Sequence, residues 1–166
     1  MEKMKQKIVL HIVGTGFGQQ KLNEMIKEMN LNENVVMHGF KTGAELDAIY
    51  NKCHLGLISL ATQEKGIYVH STLKSREYLA KGLPTMATGM TDVFINTNYK
   101  YNLELPTDDK TIDMNRIIVF YNQVYKSATR QQVITEIREF AERTIAIQTT
   151  MKPIIQYIKG TVNFYK

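Results

Sequence analysis

The sequence predicts an α/β protein in which a parallel β-sheet is covered by helices. Three observations predict this fold. Short apolar runs rich in β-branched residues alternate with segments whose apolar residues recur at helical spacing. The connections between them are short, as in domains built from strand–helix–strand units. The chain has 166 residues, of which 43% are hydrophobic, so it is long enough to bury the core of one such domain.

The first strand and helix are joined by a glycine-rich loop. Residues 7–13 (KIVLHIV) form a β-branched run that stops at Gly14, and they predict a buried strand. A second short strand is predicted over 34–38 (NVVMH). The helix between them has one apolar face, made of Leu22, Met25, Ile26 and Met29.

A second helix and a third strand follow. Thr42 is a plausible N-cap, and Glu45 lies three residues later, which predicts a capping box. The helix turns Leu46, Ile49 and Cys53 toward the core. Residues 55–60 (LGLISL) predict the third strand.

The second half begins with a loop, 61–71, that has no clear period. A helix is predicted over 73–81, with Gly82 as its stop. Strands are predicted over 83–87 and 101–105, and residues 112–166 are predicted to be mostly helical. We therefore expect a single Rossmann-like domain over 1–166, with a doubly wound parallel sheet of about five to six strands and a helical C-terminal segment.

Net charge is distributed unevenly. Residues 1–115 contain 13 lysine or arginine and 13 aspartate or glutamate residues, whereas 116–166 contain 8 and 3, so the whole net charge of +5 lies in the last segment. A basic segment is compatible with nucleic acid, an anionic membrane or an acidic partner, but a solvated helical face is favoured and no nucleic-acid motif accompanies it. The sequence has no apolar stretch of transmembrane length, and residues 1–7 contain no apolar run of signal-peptide length, so secretion is not expected. With Cys53 as the only cysteine, we expect a cytoplasmic protein.

The glycine loop is the first candidate site. A strand followed by Gly14-Thr15-Gly16-Phe17-Gly18 and a helix is an arrangement in which a backbone approaches a phosphate. The third glycine is one position too early for a dinucleotide fingerprint, and no carboxylate ends the second strand. No Gly-Lys-Ser/Thr follows, so a Walker loop is also disfavoured. From the loop alone, a phosphate site and a simple tight turn remain equally open.

The second candidate site is the start of the helix at 73–81. Ser71 or Thr72 is placed to cap this helix, and free N–H groups there attract an anion. Lys74 lies in the first turn, where a cation opposes the helix dipole unless an anion accompanies it. Glu77 follows one turn later. Lys74 and Glu77 form either a surface ion pair or a pair of contacts to a diphosphate and a sugar hydroxyl.

Several segments resemble one family in order and spacing. The run 74–84 (KSREYLAKGLP) is similar to the P-x-K-x-x-E-Y-x-A-x-G-x-P signature of GT-B glycosyltransferases, in particular of the bacterial group 1, family 4-like enzymes. Residues 10–16 with 21–22 resemble that family's first strand and glycine loop, and 35–40 (VVMHGF) its second strand. Leu46, Tyr50 and the run 53–57 (CHLGL) resemble its next helix and strand. The resemblance extends over about residues 7–90.

The resemblance implies a role for each matched position. Lys74 would stabilise charge on the leaving nucleotide, and would be the catalytic residue of this chain. Backbone N–H groups near Thr72 and Leu73 would bind the donor phosphates, and Glu77 would hold the ribose hydroxyls. The remaining donor-binding positions implied by the resemblance are Gly14, Gly16, Phe17, Phe40 and Lys41.

The sequence also departs from the family pattern. Val69 stands where many relatives carry a second glutamate, Glu64 is out of register, and Thr72 replaces the proline of the signature. His70 is expected to face solvent in the loop. His11, His38 and His54 are expected to be packed, hydrogen-bonded residues, because no partner lies at metal-ligand spacing. No Asp-x-Asp motif occurs, so no cofactor and no built-in metal site are expected.

The resemblance implies half of an enzyme. We expect the donor-binding domain of a GT-B glycosyltransferase that uses a nucleotide-diphosphate sugar and a saccharide or lipid-linked acceptor, in bacterial surface polysaccharide synthesis. The first strand begins close to Met1, so the acceptor domain is expected to be missing and this chain alone to be inactive. Peripheral contact with the inner membrane face is a further expectation, and Tyr157, Phe164 and Tyr165 are expected to pack at the terminus. The alternative is a non-catalytic Rossmann-like module that binds a nucleotide or a protein.

Overall fold

The computed structural model describes residues 7–60, 66–107 and 111–162. The chain divides into two compact units, Met1–Cys53 and His54–Lys166. Each unit has its own parallel strands and helices. The expectation that residues 1–166 act as one nucleotide-sugar-binding domain stays a prediction.

Unit 1 consists of two strand–helix pairs. They are β1 (Leu10–Ile12), α1 (Gln19–Glu28), β2 (Val35–Met37) and α2 (Gly43–Tyr50). β1 and β2 pair in parallel over their full length. Parallel pairing requires a crossover between the strands, and α1 provides it. The two strands therefore end at the same edge of their sheet.

Unit 2 contains a three-stranded parallel sheet with β5 in the middle, in the order β3-β5-β7. A second parallel pair joins β4 to β6. A 3₁₀ turn, Asp92–Phe94, follows β6 directly. The elements are β3 (Gly56–Leu57), β4 (Val69–His70), α3 (Leu73–Lys81), β5 (Thr85–Thr88), β6 (Met90–Thr91), β7 (Asn102–Leu105), α4 (Met114–Tyr125), α5 (Arg130–Thr144) and α6 (Ile147–Val162).

The predicted α/β class is confirmed, because every strand pair in the described part of the chain is parallel and helices follow the last of these strands. The strands are shorter than the apolar runs that predicted them. An apolar run marks buried residues, whereas a strand extends only as far as its neighbour hydrogen-bonds to it, so the run 55–60 yields a strand of two residues. Neither β4 nor β6 was predicted, because two residues show no periodicity.

Helix α3 packs closely on β3. The ring of Tyr78 lies directly over Gly56, where an added Cβ would be 2.5 Å from Cδ2 of the ring. The Tyr78 hydroxyl donates to the carbonyl of Leu57 at 3.2 Å. Leu79, on the same helix, is fully buried in a core shared with β7, α4 and α5. The buried members of this core are Leu79, Tyr101, Phe120, Val124, Val133, Ile137 and Ala141.

Gly82 ends α3 as predicted. Its φ of +75° is a left-handed conformation that L-residues avoid. An added Cβ would lie 2.7 Å from Cγ2 and 2.9 Å from Cα of Ile134 on α5. The stop of α3 and its packing on α5 therefore both require glycine.

The predicted capping box at the start of α2 is wrong. Thr42 occupies the N-cap with an extended backbone, but its side chain caps no amide. Glu45 instead accepts a 2.7 Å hydrogen bond from Lys41 Nζ, as an i,i+4 ion pair. The neighbouring cation thus takes the carboxylate that a capping box would use.

Helix α6 exposes its apolar residues. Ile154, Ile155 and Ile158 are 50%, 44% and 53% exposed. The expected terminal packing of Tyr157 is wrong, since its side chain is 76% exposed, and Phe164 and Tyr165 lie outside the described residues. Among the helices that the structure describes, none is long and apolar enough to cross a bilayer.

Substituting Gly82 tests the fold of unit 2. We expect Gly82→Ala to lower the free energy of unfolding by about 2–4 kcal/mol, since it adds left-handed strain and a clash with Ile134. The matched control is Gly160→Ala in α6, which has open space at its Cβ and should gain roughly 0.5–1 kcal/mol. Urea unfolding followed by circular dichroism measures both. Equal effects of the two substitutions would contradict the packing of α3 on α5.

Candidate functional site

Lys74 is held at the carboxyl end of β3. Its Nζ donates to the carbonyl of Ile58, the first residue after β3, at 3.3 Å. The side chain stays exposed. Among the ion pairs of the described residues, none joins Lys74 to Glu77, so the surface ion-pair interpretation is wrong. The ammonium is therefore open to an anion at the edge where parallel sheets bind ligands.

The first turn of α3 has no side-chain cap. Thr72 is the N-cap residue, with φ −109° and ψ 149°, yet its side chain accepts no hydrogen bond from the helix. By contrast, Asp113 and Thr129 cap α4 and α5 through their side chains. The Thr72 hydroxyl oxygen is buried and has no partner among the described residues. The Thr72 hydroxyl and the first amides of α3 are thus donors that an acceptor placed at this turn would satisfy.

The other two predicted residues of this site flank Lys74. Leu73 is 86% exposed at the first helical position, so its backbone is accessible to a ligand. Glu77 lies one turn after Lys74 and is half-buried. The structure thus brings Thr72, Leu73, Lys74 and Glu77 together on the first two turns of one helix.

An ion pair that joins α3 to the 3₁₀ turn after β6 was not predicted from the sequence. The guanidinium of Arg76 binds both carboxylate oxygens of Asp92, at 2.8 and 2.5 Å. Arg76 holds the pKa of Asp92 below its ordinary value, chiefly through this hydrogen bond, and a hydrogen bond from the Ser71 side chain adds to the effect. Because Asp92 is distant in sequence and follows a two-residue strand, no sequence signal joins it to α3.

In unit 1 the glycine loop meets the segment after β2. The Gly14 amide donates to the Gly39 carbonyl at 2.7 Å, so the loops that follow the two parallel strands are tied together. Gly14 has φ +124°, which only glycine adopts readily. The Gly16 carbonyl accepts from the Gln19 amide at 3.1 Å and starts the turn into α1.

The remaining predicted residues of unit 1 lie on these two loops. The side chains of Phe17 and Phe40 are exposed, at 112% and 72%. Lys41 is engaged with Glu45 in the ion pair described above. Exposed phenyl rings on loops at one sheet edge provide surfaces on which a planar base stacks.

Two histidines stand beside the same edge. His11 Nδ1 and His38 Nε2 are 2.9 Å apart, and the rings stack at a centroid distance of 5.2 Å. His54, in unit 2, packs edge-on against Tyr121 and Tyr125. His11 and His38 are packed and bonded to each other, as predicted, whereas His54 is exposed, so the prediction of a packed, hydrogen-bonded residue is wrong for His54. Among residues 7–60, 66–107 and 111–162, no group of three or more histidine, cysteine, aspartate or glutamate side chains is placed to hold a metal ion.

The expectation for His70 is wrong. Its side chain is 3% exposed, and its Nε2 lies 2.6 Å from the carbonyl oxygen of Thr88. His70 is buried because Val69–His70 is a strand, β4, and not part of an exposed loop. Val69, at the position of the relatives' second glutamate, is 45% exposed. Glu64 lies outside the described residues.

The comparison with known families decides the family of the chain. Residues 1–94 match the family model for group 1 glycosyl transferases, which is more than half of the sequence. The chain belongs to the group 1 glycosyltransferase family. The matched region contains both the glycine loop of unit 1 and α3 of unit 2. A search among curated proteins finds no significant match.

A solved structure shows the same fold as this glycosyltransferase chain. It is the crystal structure of the pneumococcal O-GlcNAc transferase GtfA in complex with UDP and GlcNAc, with a TM-score of 0.56 and 17% sequence identity. The similarity covers 93% of this chain and 29% of that one. At this identity the likeness shows the fold alone. The chain thus spans less than a third of the length of the protein it resembles.

The pH dependence of stability tests the histidine pair. Burial, followed by the charges of His11, Lys52 and Lys41, lowers the pKa of His38 below its ordinary value of 6.5. The unfolded chain therefore takes up a proton first as the pH falls, and the free energy of unfolding should decline from about pH 6.5 down to the folded-state pKa. NMR titration of the imidazole and urea unfolding between pH 5 and 8 measure both quantities.

The control for this prediction is His38→Gln, which keeps a polar side chain but cannot titrate. In this variant the part of the decline that His38 causes should disappear. The part that His54 causes should remain, because burial and the charge of Arg130 also lower the pKa of His54. A pKa of His38 at or above 6.5 would contradict the description of the pair.

Proposed function

We propose that this chain is the donor-binding part of a glycosyltransferase and binds a nucleotide-diphosphate sugar. The observation that carries the proposal is the position of Lys74, whose ammonium lies in the first turn of an uncapped helix and at the carboxyl end of β3. Amide groups at a helix N-terminus and an adjacent ammonium together form an anion site. Membership of the group 1 glycosyltransferase family supports the same function.

The chemistry of the site follows from charge. During glycosyl transfer the bond between the sugar and the diphosphate breaks, and negative charge develops on the leaving nucleotide. The Lys74 ammonium and the first-turn amides of α3 stabilise that charge more than they stabilise the bound donor, which lowers the barrier. The buried Thr72 hydroxyl gains the acceptor it lacks when a phosphate oxygen lies beside it.

The other predicted residues bind the rest of the donor. Glu77 accepts hydrogen bonds from the ribose hydroxyls, one helical turn away from the phosphates. For unit 1 taken by itself, we propose that the backbone at Gly14 and Gly16 is open to a ligand and that Phe17, Phe40 and Lys41 are the residues suited to contact a base. No built-in metal site is part of this proposal, because the ammonium and the amides supply the positive charge that the diphosphate needs.

The acceptor side belongs to a further domain. GtfA is more than three times as long as the region it shares with this chain, which supports a second domain that binds the acceptor. We propose that the acceptor is a saccharide or a lipid-linked saccharide in bacterial surface polysaccharide synthesis, and that the enzyme works in the cytoplasm. The exposed apolar face of α6, with Lys152 and Lys159 beside it, is the proposed place of peripheral contact with the inner membrane face. The chain alone should not turn over.

Calorimetric titration of the whole chain with UDP, GDP and their sugars tests donor binding. We expect Lys74→Ala to weaken nucleotide diphosphate binding by about 10- to 100-fold, as the loss of one charge-assisted contact to phosphate. The matched control is Lys152→Ala, which removes an exposed charge of α6 and should leave the affinity unchanged.

Two results would contradict the donor site. One is the absence of binding to any nucleotide at millimolar concentration by the folded chain. The other is unaltered binding by Lys74→Ala, which is the result that the alternative, a non-catalytic binding module, predicts.

A second titration tests the role of Glu77. The unsubstituted chain should bind UDP more tightly than 2′,3′-dideoxy-UDP, since the ribose hydroxyls donate to the carboxylate. Glu77→Ala should weaken UDP binding about tenfold and abolish the preference, because the deoxy ligand already lacks these hydrogen bonds. An equal loss of affinity for both ligands would assign Glu77 a structural role only.

A further inference from the structure

A cluster of hydrogen-bonded side chains holds the backbone that leads into α3. The guanidinium of Arg76 donates to the Thr72 carbonyl at 3.3 Å and to Ser75 Oγ at 2.9 Å, while it binds Asp92. Ser75 is fully buried, and its hydroxyl donates to the same Thr72 carbonyl at 2.7 Å. Asp92 also accepts the Val93 amide at 2.8 Å.

The two ends of this cluster are anchored on neighbouring strands. β4 ends at His70 and leads through Ser71 and Thr72 into α3, whereas β6 ends immediately before Asp92. β4 and β6 are paired in parallel, so their carboxyl ends lie side by side. Arg76 and Asp92 thus link the first turn of α3 to the carboxyl end of β6, the strand that pairs with β4.

We propose that Arg76 and Asp92 are positioning residues that fix the N-terminal turn of α3 for binding of the donor diphosphate. The inference rests on the proposed function, since it concerns the same site. The guanidinium of Arg76 is bonded to oxygen atoms of Thr72, Ser75 and Asp92, so we assign Arg76 to positioning and not to the phosphate itself. It acts through the backbone of Thr72 and through the orientation of the turn that carries Lys74.

The geometry distinguishes this pair from an ordinary surface ion pair. Both carboxylate oxygens are engaged by a planar fork, which sets direction as well as distance. The side chains of Arg76 and Asp92 are 31% and 30% exposed, against 67% and 47% for Lys100 and Glu136, which form another ion pair in unit 2. A bidentate, shielded pair orients the groups that it contacts, whereas an exposed single contact does not.

The test is a double-mutant cycle on UDP affinity, measured by calorimetry with the whole chain. Arg76→Ala and Asp92→Asn should each weaken binding about tenfold, because the Thr72 carbonyl and the turn that carries Lys74 lose the charge-assisted hydrogen bonds that hold them. The double substitution should cost no more than either single one, because both break the same link. Arg76→Lys keeps the charge but lacks the fork, and should recover only part of the affinity.

Controls separate positioning from folding and from the proposed function. Lys100→Ala breaks the exposed ion pair of unit 2 and should leave the UDP affinity unchanged. Asp92→Asn preserves side-chain volume, and its circular dichroism spectrum should match that of the unsubstituted chain. Amide hydrogen exchange at residues 72–75 should speed up in Arg76→Ala and Asp92→Asn but not in Lys100→Ala.

The outcomes are distinct. If the unsubstituted chain binds UDP and the variants bind it equally well, the positioning role is overturned and the donor site stands. Additive losses in the cycle would likewise overturn the pair as a unit. If the unsubstituted, folded chain binds no nucleotide, the proposed function fails and the inference fails with it.

Discussion

The contact of the Tyr78 ring with Gly56 determines where the candidate donor site of unit 2 lies. The ring of Tyr78 packs directly on the backbone of β3 because Gly56 has no side chain, and the Tyr78 hydroxyl fixes the helix further by its bond to the Leu57 carbonyl. At the C-terminal end of α3, Gly82 allows the helix to end against Ile134 of α5. With the helix fixed at both places, Lys74 reaches the carbonyl of Ile58 at the end of β3. Tyr78 and Gly82, which belong to the family signature, thus position the helix that carries Lys74 and Glu77.

The sequence correctly predicted the elements whose ends are marked by residues with a definite backbone preference. The bounds of α3 were predicted correctly, because Thr72 stands at the N-cap position and Gly82 is a definite stop. The capping box at Thr42 failed, since the pattern of a threonine and a glutamate does not reveal that Lys41 takes the carboxylate. His70 failed for a different reason: burial in a two-residue strand depends on pairing with β6, which lies about twenty residues away.

The same distinction applies to the candidate site, where helical spacing predicts some residues and the pairing of distant strands determines others. Lys74 and Glu77 belong to one helix, so their relation follows from helical spacing, and the family signature identifies them. The pair of Arg76 and Asp92 depends on how β6 pairs with β4, which no spacing in the sequence expresses. The position of the net charge was visible in the sequence, but the exposure of the α6 apolar face was not, because helical periodicity describes a face without saying what covers it.

The other proposals depend on the binding of a donor diphosphate at the N-terminal turn of α3. The most direct measurement is a two-dimensional amide NMR titration of the ¹⁵N-labelled chain with UDP, with uridine as the ligand that lacks phosphates. We expect UDP to shift the amide resonances of residues 72–75 and uridine to leave them in place. Saturable shifts that spare these four residues, or equal shifts of them by both ligands, would contradict it.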